Sequence, residues 1–332
     1  MSIPPKHRIA VIGCGVVSEM HFRGYLAHRD RVEVVAAVDP SADRRRWVTT
    51  TFGISETFDS IGTALEGVDF DTAVVSTPSH VRLEAVTELA ASGKHLFVEK
   101  PLADSVESAT EIVGIAAGAN VELAVNQNFR YHYAFTQARE AIRSGRIGRP
   151  VSIDHRELMW REVVGWRAEQ QHHALSVMGV HWFDGFRYML DREADWLTAT
   201  THRSPLQAVM GETDASVHLR FGDVGVNYTH SFASRIESVE TIVVGEQGAL
   251  RLDYDQVEIH TSDGLEKVIN PWSGLAKPES AYLGLNDLLT AVDRGTKPTN
   301  SGRDNLQTLS LLEGAYRSAV SGETVTFSEG LL

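Results

Sequence analysis

The sequence lacks three features that would each indicate a particular class of protein. Its 332 residues include one cysteine, Cys14, which excludes an internal disulfide and a cysteine-rich zinc site. No apolar run reaches the roughly 18 residues needed to span a bilayer, and Met1 to Arg8 has no apolar core of the kind that marks a secretion signal. Positive charge is scarce, since 31 Lys and Arg stand against 44 Asp and Glu, a net charge of −13. We therefore expect no membrane or nucleic-acid partner and a reducing, cytoplasmic location.

What remains is an ordinary globular composition, with 42% hydrophobic and 23% charged residues, which excludes wholesale disorder. At about 100–200 residues per domain, the length predicts two domains.

Short apolar runs alternate with segments of helical periodicity over residues 1–127. This alternation is typical of a parallel sheet with helices on both faces, so the segment is predicted to be an α/β domain of the Rossmann type. The predicted strands are Arg8–Gly13, Val32–Asp39, Thr72–Ser76, His95–Glu99 and Glu122–Asn126. The predicted helices are Ser18–Ala27, Ser41–Phe52, His80–Ser92 and Val106–Ala117.

The pattern changes near Asn128. A helix is predicted over Arg130–Ser144, followed by runs that are joined by turns rather than helices, which indicates an antiparallel sheet. These runs are Val151–Leu158, Asp195–His202, Ala215–Phe221, Val224–Ser231, Glu237–Gly245, Gly248–Tyr254 and Gln256–Thr261. Further helices are predicted at His172–Leu190, Ala281–Asp293 and Asn305–Ser321. Residues 128–332 are therefore predicted to form a second, α+β domain, unless the closing helices pack back on the first domain.

A glycine-rich loop connects the first strand to the first helix. Gly13-Cys-Gly15-Val16-Val17-Ser18 is the G-x-G-x-x-G pattern with serine in the third glycine position. The first glycine permits the tight turn, and the second lets the backbone approach a pyrophosphate at the helix N-terminus. An acid, Asp39, ends the second strand, as expected for a residue that binds the ribose hydroxyls. Because its charge would repel a 2′-phosphate, NAD is favoured over NADP.

Three arginines and the cysteine lie close to this loop in sequence. Arg44, Arg45 and Arg46 are interpreted as a solvated helix face, although they would also offset the repulsion of a 2′-phosphate. Cys14 is interpreted as a small hydrophobic residue rather than a nucleophile.

Motifs further along the chain carry a family resemblance. Ser76-Thr77-Pro78-Ser79-His80 ends the third strand, Val98-Glu99-Lys100-Pro101 ends the fourth, Trp166-Arg167 follows, and Gly179-Val-His181-Trp-Phe-Asp184 lies on a helix. Together with Gly245-Glu-Gln-Gly-Ala-Leu250, their spacing resembles the glucose–fructose oxidoreductase/inositol dehydrogenase/MocA family of NAD(P)-dependent oxidoreductases over almost the whole chain.

The resemblance implies a Rossmann domain joined to a large, open-faced, mainly antiparallel sheet, through which the chain would form a homodimer or homotetramer. It also implies an active site between the domains. Lys100 and His181 match the catalytic positions, and the implied substrate is a small carbohydrate-like molecule. Candidate cofactor-binding residues are Gly13, Gly15, Val16, Val17, Asp39, Ser76, Thr77, Pro78, His80, Glu99, Lys100, Gln127, Trp166 and Arg167. Candidate substrate-binding residues are Lys100, Arg130, His155, Glu157, Trp166, His173, His181 and Asp184.

The roles of the two catalytic candidates are chemically reasonable. A histidine titrates near neutral pH and suits removal of a hydroxyl proton, and Lys100 supplies positive charge and a donor at the developing oxyanion. Placed on one face of their strand, His155 and Glu157 point either toward substrate or toward solvent. The His172, His173 and His181 group has no carboxylate or cysteine at ligand spacing, so no metal site is predicted.

The sequence also departs from the family pattern. Sugar and inositol dehydrogenases of this family usually carry an aspartate four residues before the histidine, where this chain has Val177. Such an aspartate would orient the imidazole, so its absence weakens the acid–base assignment, unless His173 replaces part of its role. After Pro78 the family often has asparagine and then histidine, at the positions of Ser79 and Arg82.

Three hypotheses follow. The leading one is an NAD-dependent oxidoreductase that transfers hydride between nicotinamide and a hydroxyl or keto carbon of a sugar, polyol or cyclitol. The second is an epimerase, lyase or glycosidase-like enzyme that oxidises its substrate transiently with tightly bound NAD. The third is a non-catalytic NAD-binding protein, an option that Val177 favours.

Overall fold

The computed structural model describes residues 6–272 and 276–327, with the side chains of Trp166, Arg167 and Ala276 excepted. The chain divides into two compact units. The first comprises the described residues up to Tyr131 and those from helix α8 (Ala276–Arg294) up to Leu306. The second comprises the described residues from His132 to Trp272 and from Gln307 onward.

The first unit is built on a six-stranded parallel sheet, which confirms the predicted α/β class. The strand order is β3-β2-β1-β4-β5-β6, so the order reverses between β1 and β4. The central strands are buried on both faces, which explains their continuous apolar runs. The strands are β1 (His7–Ile12), β2 (Val32–Val38), β3 (Thr57–Phe58), β4 (Thr72–Val75), β5 (His95–Glu99) and β6 (Leu123–Asn126).

Helices follow the strands as predicted, and local signals set their ends. The side chain of Ser41 caps α2 by accepting a hydrogen bond from the N–H of Arg44, and Gly53 ends it in the left-handed conformation. The helices of this part are α1 (Ser18–Ala27), α2 (Ala42–Phe52), α3 (Ile61–Gly67), α4 (Arg82–Ala91) and α5 (Val106–Gly118). The short elements β3 and α3 were not predicted, because neither is long enough to show a periodicity.

Helix α8 belongs to the first unit. Its residues Leu285, Leu288 and Leu289 share one buried core with β1 and α1. A Cβ at Gly24 of α1 would lie 2.3 Å from the Pro278 carbonyl oxygen, so the two helices touch through backbone. The first unit therefore includes α8 as well as the predicted 1–127 segment, which matches the alternative in which a closing helix packs back on the first domain.

The second unit contains a nine-stranded sheet, β14-β13-β12-β11-β7-β10-β9-β8-β15. All neighbouring strands are antiparallel except β7 and β10, which confirms the mainly antiparallel prediction. Its strands are β7 (Pro150–Trp160), β8 (Trp196–His202), β9 (Asp214–Phe221), β10 (Val224–Ser231), β11 (Ala233–Gly245), β12 (Gly248–Leu252), β13 (Gln256–Thr261), β14 (Gly264–Ile269) and β15 (Val325–Thr326). The polar β14 and the two-residue β15 were not predicted.

One face of this sheet is buried beneath helix α7 (Val180–Leu190), whose Trp182, Phe183 and Phe186 contact β7 and β10. A π-helical turn, Leu175–Gly179, leads into α7, so the predicted helix His172–Leu190 is two segments of different pitch. The remaining helices are α6 (Tyr133–Arg143) and α9 (Gly302–Ser321). Among the described residues, no helix is both long and apolar enough to cross a membrane.

Candidate active site

The two glycines of the loop after β1 have different surroundings. Gly13 has a φ of 91°, and a Cβ there would lie 3.0 Å from the backbone of Ser76, so only glycine fits. Around Gly15, no heavy atom beyond its neighbours lies within 4 Å of the Cβ position. The first glycine packs the loop against the end of β4, and the second leaves room for a ligand to approach the backbone.

Three backbone N–H groups at the start of α1 are open to a ligand. Those of Gly15, Val16 and Val17 have no hydrogen-bond acceptor among the described residues. Val17 caps α1 without a side-chain hydrogen bond, and Val16 is 82% exposed. Unsatisfied N–H groups at a helix N-terminus carry partial positive charge, so this loop has the donors that a pyrophosphate requires.

Arg44 binds two backbone carbonyl groups of the loop that follows β1. Its Nε donates to the Cys14 carbonyl and its Nη2 to the Gly15 carbonyl, the latter at 3.2 Å. Because the N–H of a trans peptide points away from its carbonyl, these bonds turn the following N–H groups outward. Arg45 also donates to a carbonyl, that of Asp39, at 2.7 Å, whereas Arg46 stays exposed. The interpretation of a solvated face is therefore wrong for Arg44 and Arg45.

Asp39 is fixed at the end of β2 by two backbone donors. The N–H of Cys14 donates to its Oδ2 at 2.8 Å, and that of Ser41 to its Oδ1 at 2.9 Å. Each carboxylate oxygen keeps lone pairs that ribose hydroxyls would use. Burial and the Asp39 charge raise the pKa of Cys14 to about 12, so the thiol stays protonated and acts as a small buried group.

Several buried polar atoms at the strand ends have no hydrogen-bond partner among the described residues. The hydroxyls of Ser76 and Thr77 after β4, and the side-chain amide of Gln127 after β6, make no hydrogen bond within the described chain. Buried polar atoms without a partner are rare in native proteins, so a ligand is the natural explanation here. Pro78 and His80 follow on the exposed side of the same edge. These atoms and the open N–H groups fit a bound dinucleotide.

Glu99 ends β5, and its carboxylate is buried. Its Oε1 accepts hydrogen bonds from His21 Nε2 at 2.7 Å and from Asn126 Nδ2 at 2.6 Å. Its Oε2 accepts one from the backbone N–H of the half-buried Lys100, at 3.1 Å. Burial would raise the pKa of Glu99, but the hydrogen bonds from His21 and Asn126 and the charges of His21 and Lys100 outweigh burial and hold the pKa below its ordinary value.

Arg82 joins the two loops that carry the cofactor and catalytic candidates. Its Nη2 donates to the Thr77 carbonyl at 2.6 Å, and its Nη1 donates to the carbonyls of Pro101 and Leu102. Burial lowers the pKa of Arg82 to about 10, so the side chain remains a cation at neutral pH. Arg82, which stands where the family often has histidine, therefore connects these two loops from a buried position.

In the second unit, the candidate histidines lie at the start of α7. His181 occupies its first turn, and His173 precedes the π-helical turn; both are buried. His173 packs against Phe232, with 5.1 Å between ring centroids. Val177 lies between them, and its N–H donates to the His173 carbonyl at 2.9 Å.

Asp184, a predicted substrate-binding residue, is held by protein groups of the second unit. Its Oδ1 accepts a hydrogen bond from Thr308 at 2.8 Å, and Arg187 Nη1 lies 3.6 Å from the same atom. The carboxylate is fully buried in this network, which Glu193 extends by binding Arg187 with both oxygens. Asp184 therefore anchors α7.

His155 and Glu157 share one face of β7, as their alternation predicts, but that face is the buried one. Glu157 accepts hydrogen bonds from Trp182 Nε1, at 3.0 Å, and from the Tyr254 hydroxyl. His155 stacks against Trp182, and burial together with the charge of His230 places its pKa well below the ordinary value. The solvent-facing alternative is corrected, because both side chains are buried beneath α7.

The Arg130 side chain, which was predicted to bind substrate, binds other groups of the first unit. It donates to the Thr299 carbonyl at 2.9 Å and pairs with Asp304 at 2.5 Å inside the first unit. The side chains of Trp166 and Arg167 lie outside the described residues, and their backbone forms a short 3₁₀ helix, Gly165–Glu169. The part of the chain that the structure describes contains no group of three His, Cys, Asp or Glu residues that could hold a metal.

Sequence reasoning did not identify Glu212. Its carboxylate accepts hydrogen bonds from the N–H groups of His173, at 3.0 Å, and Leu175, at 2.9 Å. The Tyr316 hydroxyl donates to the same carboxylate at 2.8 Å and accepts from the N–H of Ser176 at 3.0 Å. These partners are far apart in the chain, so no local pattern could have indicated the cluster.

A glycine-rich loop with open N–H donors on a parallel sheet, joined to a second antiparallel sheet, defines a dinucleotide-dependent oxidoreductase of two domains. Two family profiles match the chain: an oxidoreductase family with an NAD-binding Rossmann fold over residues 7–127, and the GFO/IDH/MocA C-terminal domain over residues 135–251. The chain belongs to the glucose–fructose oxidoreductase/inositol dehydrogenase/MocA family of NAD-binding oxidoreductases, which confirms the resemblance.

Individual relatives agree with this assignment. The chain is 30% identical to a D-apiose dehydrogenase of Paraburkholderia graminis, over 95% of this chain and 88% of the relative. It is 25% identical to an inositol 2-dehydrogenase of Rhizobium meliloti, over 97% and 99% of the two chains. A crystal structure of an Agrobacterium radiobacter oxidoreductase in complex with NAD+, L-tartaric acid and magnesium has the same fold, with a TM-score of 0.89 and 24% identity over 97% of this chain and 98% of that one.

Proposed function

We propose that the protein is an NAD-dependent dehydrogenase or reductase that acts on a hydroxyl or keto carbon of a sugar, polyol or cyclitol. The observation that carries the proposal is the set of three open N–H groups at Gly15, Val16 and Val17, beside the unpartnered hydroxyls of Ser76 and Thr77. The substrate class rests on the relatives, which are named for D-apiose and inositol.

The proposed cofactor-binding residues would each contact a different part of NAD. The Gly15–Val17 donors would bind the pyrophosphate, and Asp39 the adenosine ribose, whose hydroxyls its free lone pairs accept. The Asp39 charge disfavours a 2′-phosphate, which supports NAD over NADP. Ser76, Thr77 and Gln127 would line the remaining length of the cofactor. When bound, NAD supplies the acceptor for a hydride from the carbinol carbon.

Two side chains would act on the substrate: one would transfer its hydroxyl proton and the other would bind its oxygen. His181 is the proposed base that takes the hydroxyl proton during oxidation and returns it during reduction. Lys100 is the proposed cation that donates to the substrate oxygen as negative charge develops there. Val177 has no polar group that could orient an imidazole, so the position of His181 depends on how helix α7 is held. Asp184 holds the helix through Thr308, and Glu212 binds the N–H of His173 in the segment that leads into it.

The decisive experiment measures reduced nicotinamide by absorbance while purified protein is offered NAD with D-apiose, myo-inositol, scyllo-inositol and other sugars. We expect turnover with at least one of them, and a loss of about 100-fold in kcat for Lys100→Met and for His181→Phe. Glu88→Gln, an exposed change on α4, is the control and should match the wild type.

Absence of turnover across the panel, in the wild type and in Val177→Asp, would count against the dehydrogenase. Cofactor that co-purifies, with substrate conversion but no net change in nicotinamide, would instead indicate transient oxidation. If the protein binds NAD but has no activity that the Lys100→Met variant loses, it would be a non-catalytic NAD-binding protein.

A further inference from the structure

A single buried arginine donates hydrogen bonds to both of the loops that follow β4 and β5. Arg82 begins α4 and is 2% exposed. Its Nη2 donates to the Thr77 carbonyl at 2.6 Å, and its Nη1 donates to the carbonyls of Pro101 and Leu102, the latter at 3.2 Å. Because a cation is costly to bury, a side chain that only filled space here would be apolar. Arg82 therefore needs an explanation beyond the packing of α4.

The segment that carries Lys100 depends on Arg82 for its position. This Lys100 segment, residues 100–105, lies between β5 and α5, outside every strand and helix. Among the described residues, Arg82 is the one donor to the carbonyls of Pro101 and Leu102. Since these carbonyls belong to the two residues after Lys100, the guanidinium holds the backbone from which the Lys100 side chain extends.

The loop at the other end of the guanidinium has further contacts of its own. The N–H of Ser76 donates to the Ile12 carbonyl at 2.7 Å, and a Cβ at Gly13 would lie 3.1 Å from the Thr77 nitrogen. The loop after β4 is thus packed against the glycine-rich loop that would bind NAD. Because Arg82 binds this loop and the Lys100 segment with one planar group, it sets the position of one relative to the other.

We propose that Arg82 is a positioning residue: through the carbonyls of Pro101 and Leu102, it holds Lys100 where its side chain donates to the substrate oxygen. The proposal rests on the proposed function for what Lys100 does, but the restraint on the Lys100 segment is measurable without substrate. A misplacement of about 1 Å costs about 100-fold in rate. Loss of the restraint should therefore lower kcat more than it weakens NAD binding, since the glycine-rich loop keeps its other contacts.

The first test is hydrogen–deuterium exchange of the full-length protein without substrate, measured by peptide mass spectrometry. Arg82→Met keeps an unbranched side chain but has no donor, and the amides of residues 102–105 should exchange about tenfold faster than in the wild type. Arg82→Lys keeps the charge but lacks the planar fork of donors, so it should restore part of the protection. The amides of β1 should exchange as in the wild type.

The second test is a double-mutant cycle on kcat, with whichever substrate of the panel is turned over. We expect Arg82→Met to lower kcat about 30-fold while the Kd for NAD changes less than about threefold. In the Lys100→Met background, the same substitution should lower kcat less than about threefold, because a residue that acts through Lys100 then has nothing to position. Arg82→Lys should recover part of the lost kcat.

Arg31→Met is the matched control. Arg31 is another buried arginine of the first unit, and it binds Asp293 at 2.6 Å and Asn286 at 3.1 Å, both on α8. Its substitution also removes a buried cation, but it should change neither kcat nor the exchange of residues 102–105.

Unchanged exchange of residues 102–105 in Arg82→Met, or an equal loss of kcat in both Lys100 backgrounds, would overturn the proposal. If Arg82→Met does not fold, Arg82→Lys decides by the same two measurements. Faster exchange without turnover in any protein, the wild type included, would support the restraint and reject the proposed function alone.

Discussion

At the scale of single residues, Arg44 shows how much of the cofactor loop is held by a side chain outside it. Its guanidinium binds two loop carbonyls and also lies over the Trp47 ring, 4.1 Å from the centroid. The loop itself offers only backbone donors to a ligand. The direction of those donors therefore depends on a side chain from the next helix.

We expect Arg44→Met to weaken NAD binding about fivefold, because the loop would lose hydrogen bonds with a net value of about 1 kcal/mol. Methionine keeps the contact with Trp47, so the midpoint of thermal unfolding should change little. Calorimetric titration with NAD measures the effect. Arg46→Met is the matched control, since Arg46 is exposed and pairs only with Asp43 among the described residues. Equal affinities for the two variants would contradict the role of Arg44.

At the scale of secondary-structure elements, the helix that carries His181 depends on distant residues for its start. No side chain within the segment caps the π-helical turn before α7. Glu212 and Tyr316 instead satisfy the N–H groups of His173, Leu175 and Ser176. A helix whose first N–H groups are bound by a carboxylate is fixed in position as well as stabilised.

We expect Glu212→Ala to lower the free energy of unfolding by about 2 kcal/mol, since it removes a charged cap and leaves buried N–H groups unpaired. Glu212→Gln keeps an acceptor and should lose about half as much. Urea unfolding measures both, with Glu237→Ala, an exposed acid on β11, as the control. If Glu212→Ala unfolded at the same urea concentration as Glu237→Ala, the capping role would be rejected.

Elements with local signals were predictable, and contacts across the chain were not. Ser41 and Gly53 mark the ends of α2 in the sequence itself. The alternation of β7 shows that His155 and Glu157 share a face, but periodicity does not show which face lies under a helix. Asp184 takes its hydrogen bond from Thr308, 124 residues away, so its anchoring role has no sequence signal.

At the scale of the whole molecule, the second sheet has a face that the described helices do not bury. Along β7 and β11 this outer face carries Asp154, Arg156, Ile242 and Val244, and Val244 is 38% exposed. A face of mixed polarity on a nine-stranded sheet is compatible with the same face of a second copy, which would give a two-fold interface of about 800 Å² per partner or more. We therefore keep the prediction that the chain forms a homodimer, or a homotetramer, through this sheet.

Ile242→Arg tests the interface near the middle of the sheet, where Ile242 pairs with Asp154 and Arg251 across the neighbouring strands. Two added charges facing each other across a two-fold axis, without partners, are costly to bury. We expect light scattering to give the mass of a multiple of 36.5 kDa for the wild type and of a single chain for the variant. Val320→Arg adds the same charge at a site on α9 that is 90% exposed, and should leave the wild-type mass unchanged. A wild-type protein of single-chain mass, or an Ile242→Arg variant that keeps the larger mass, would show that this face is not the interface.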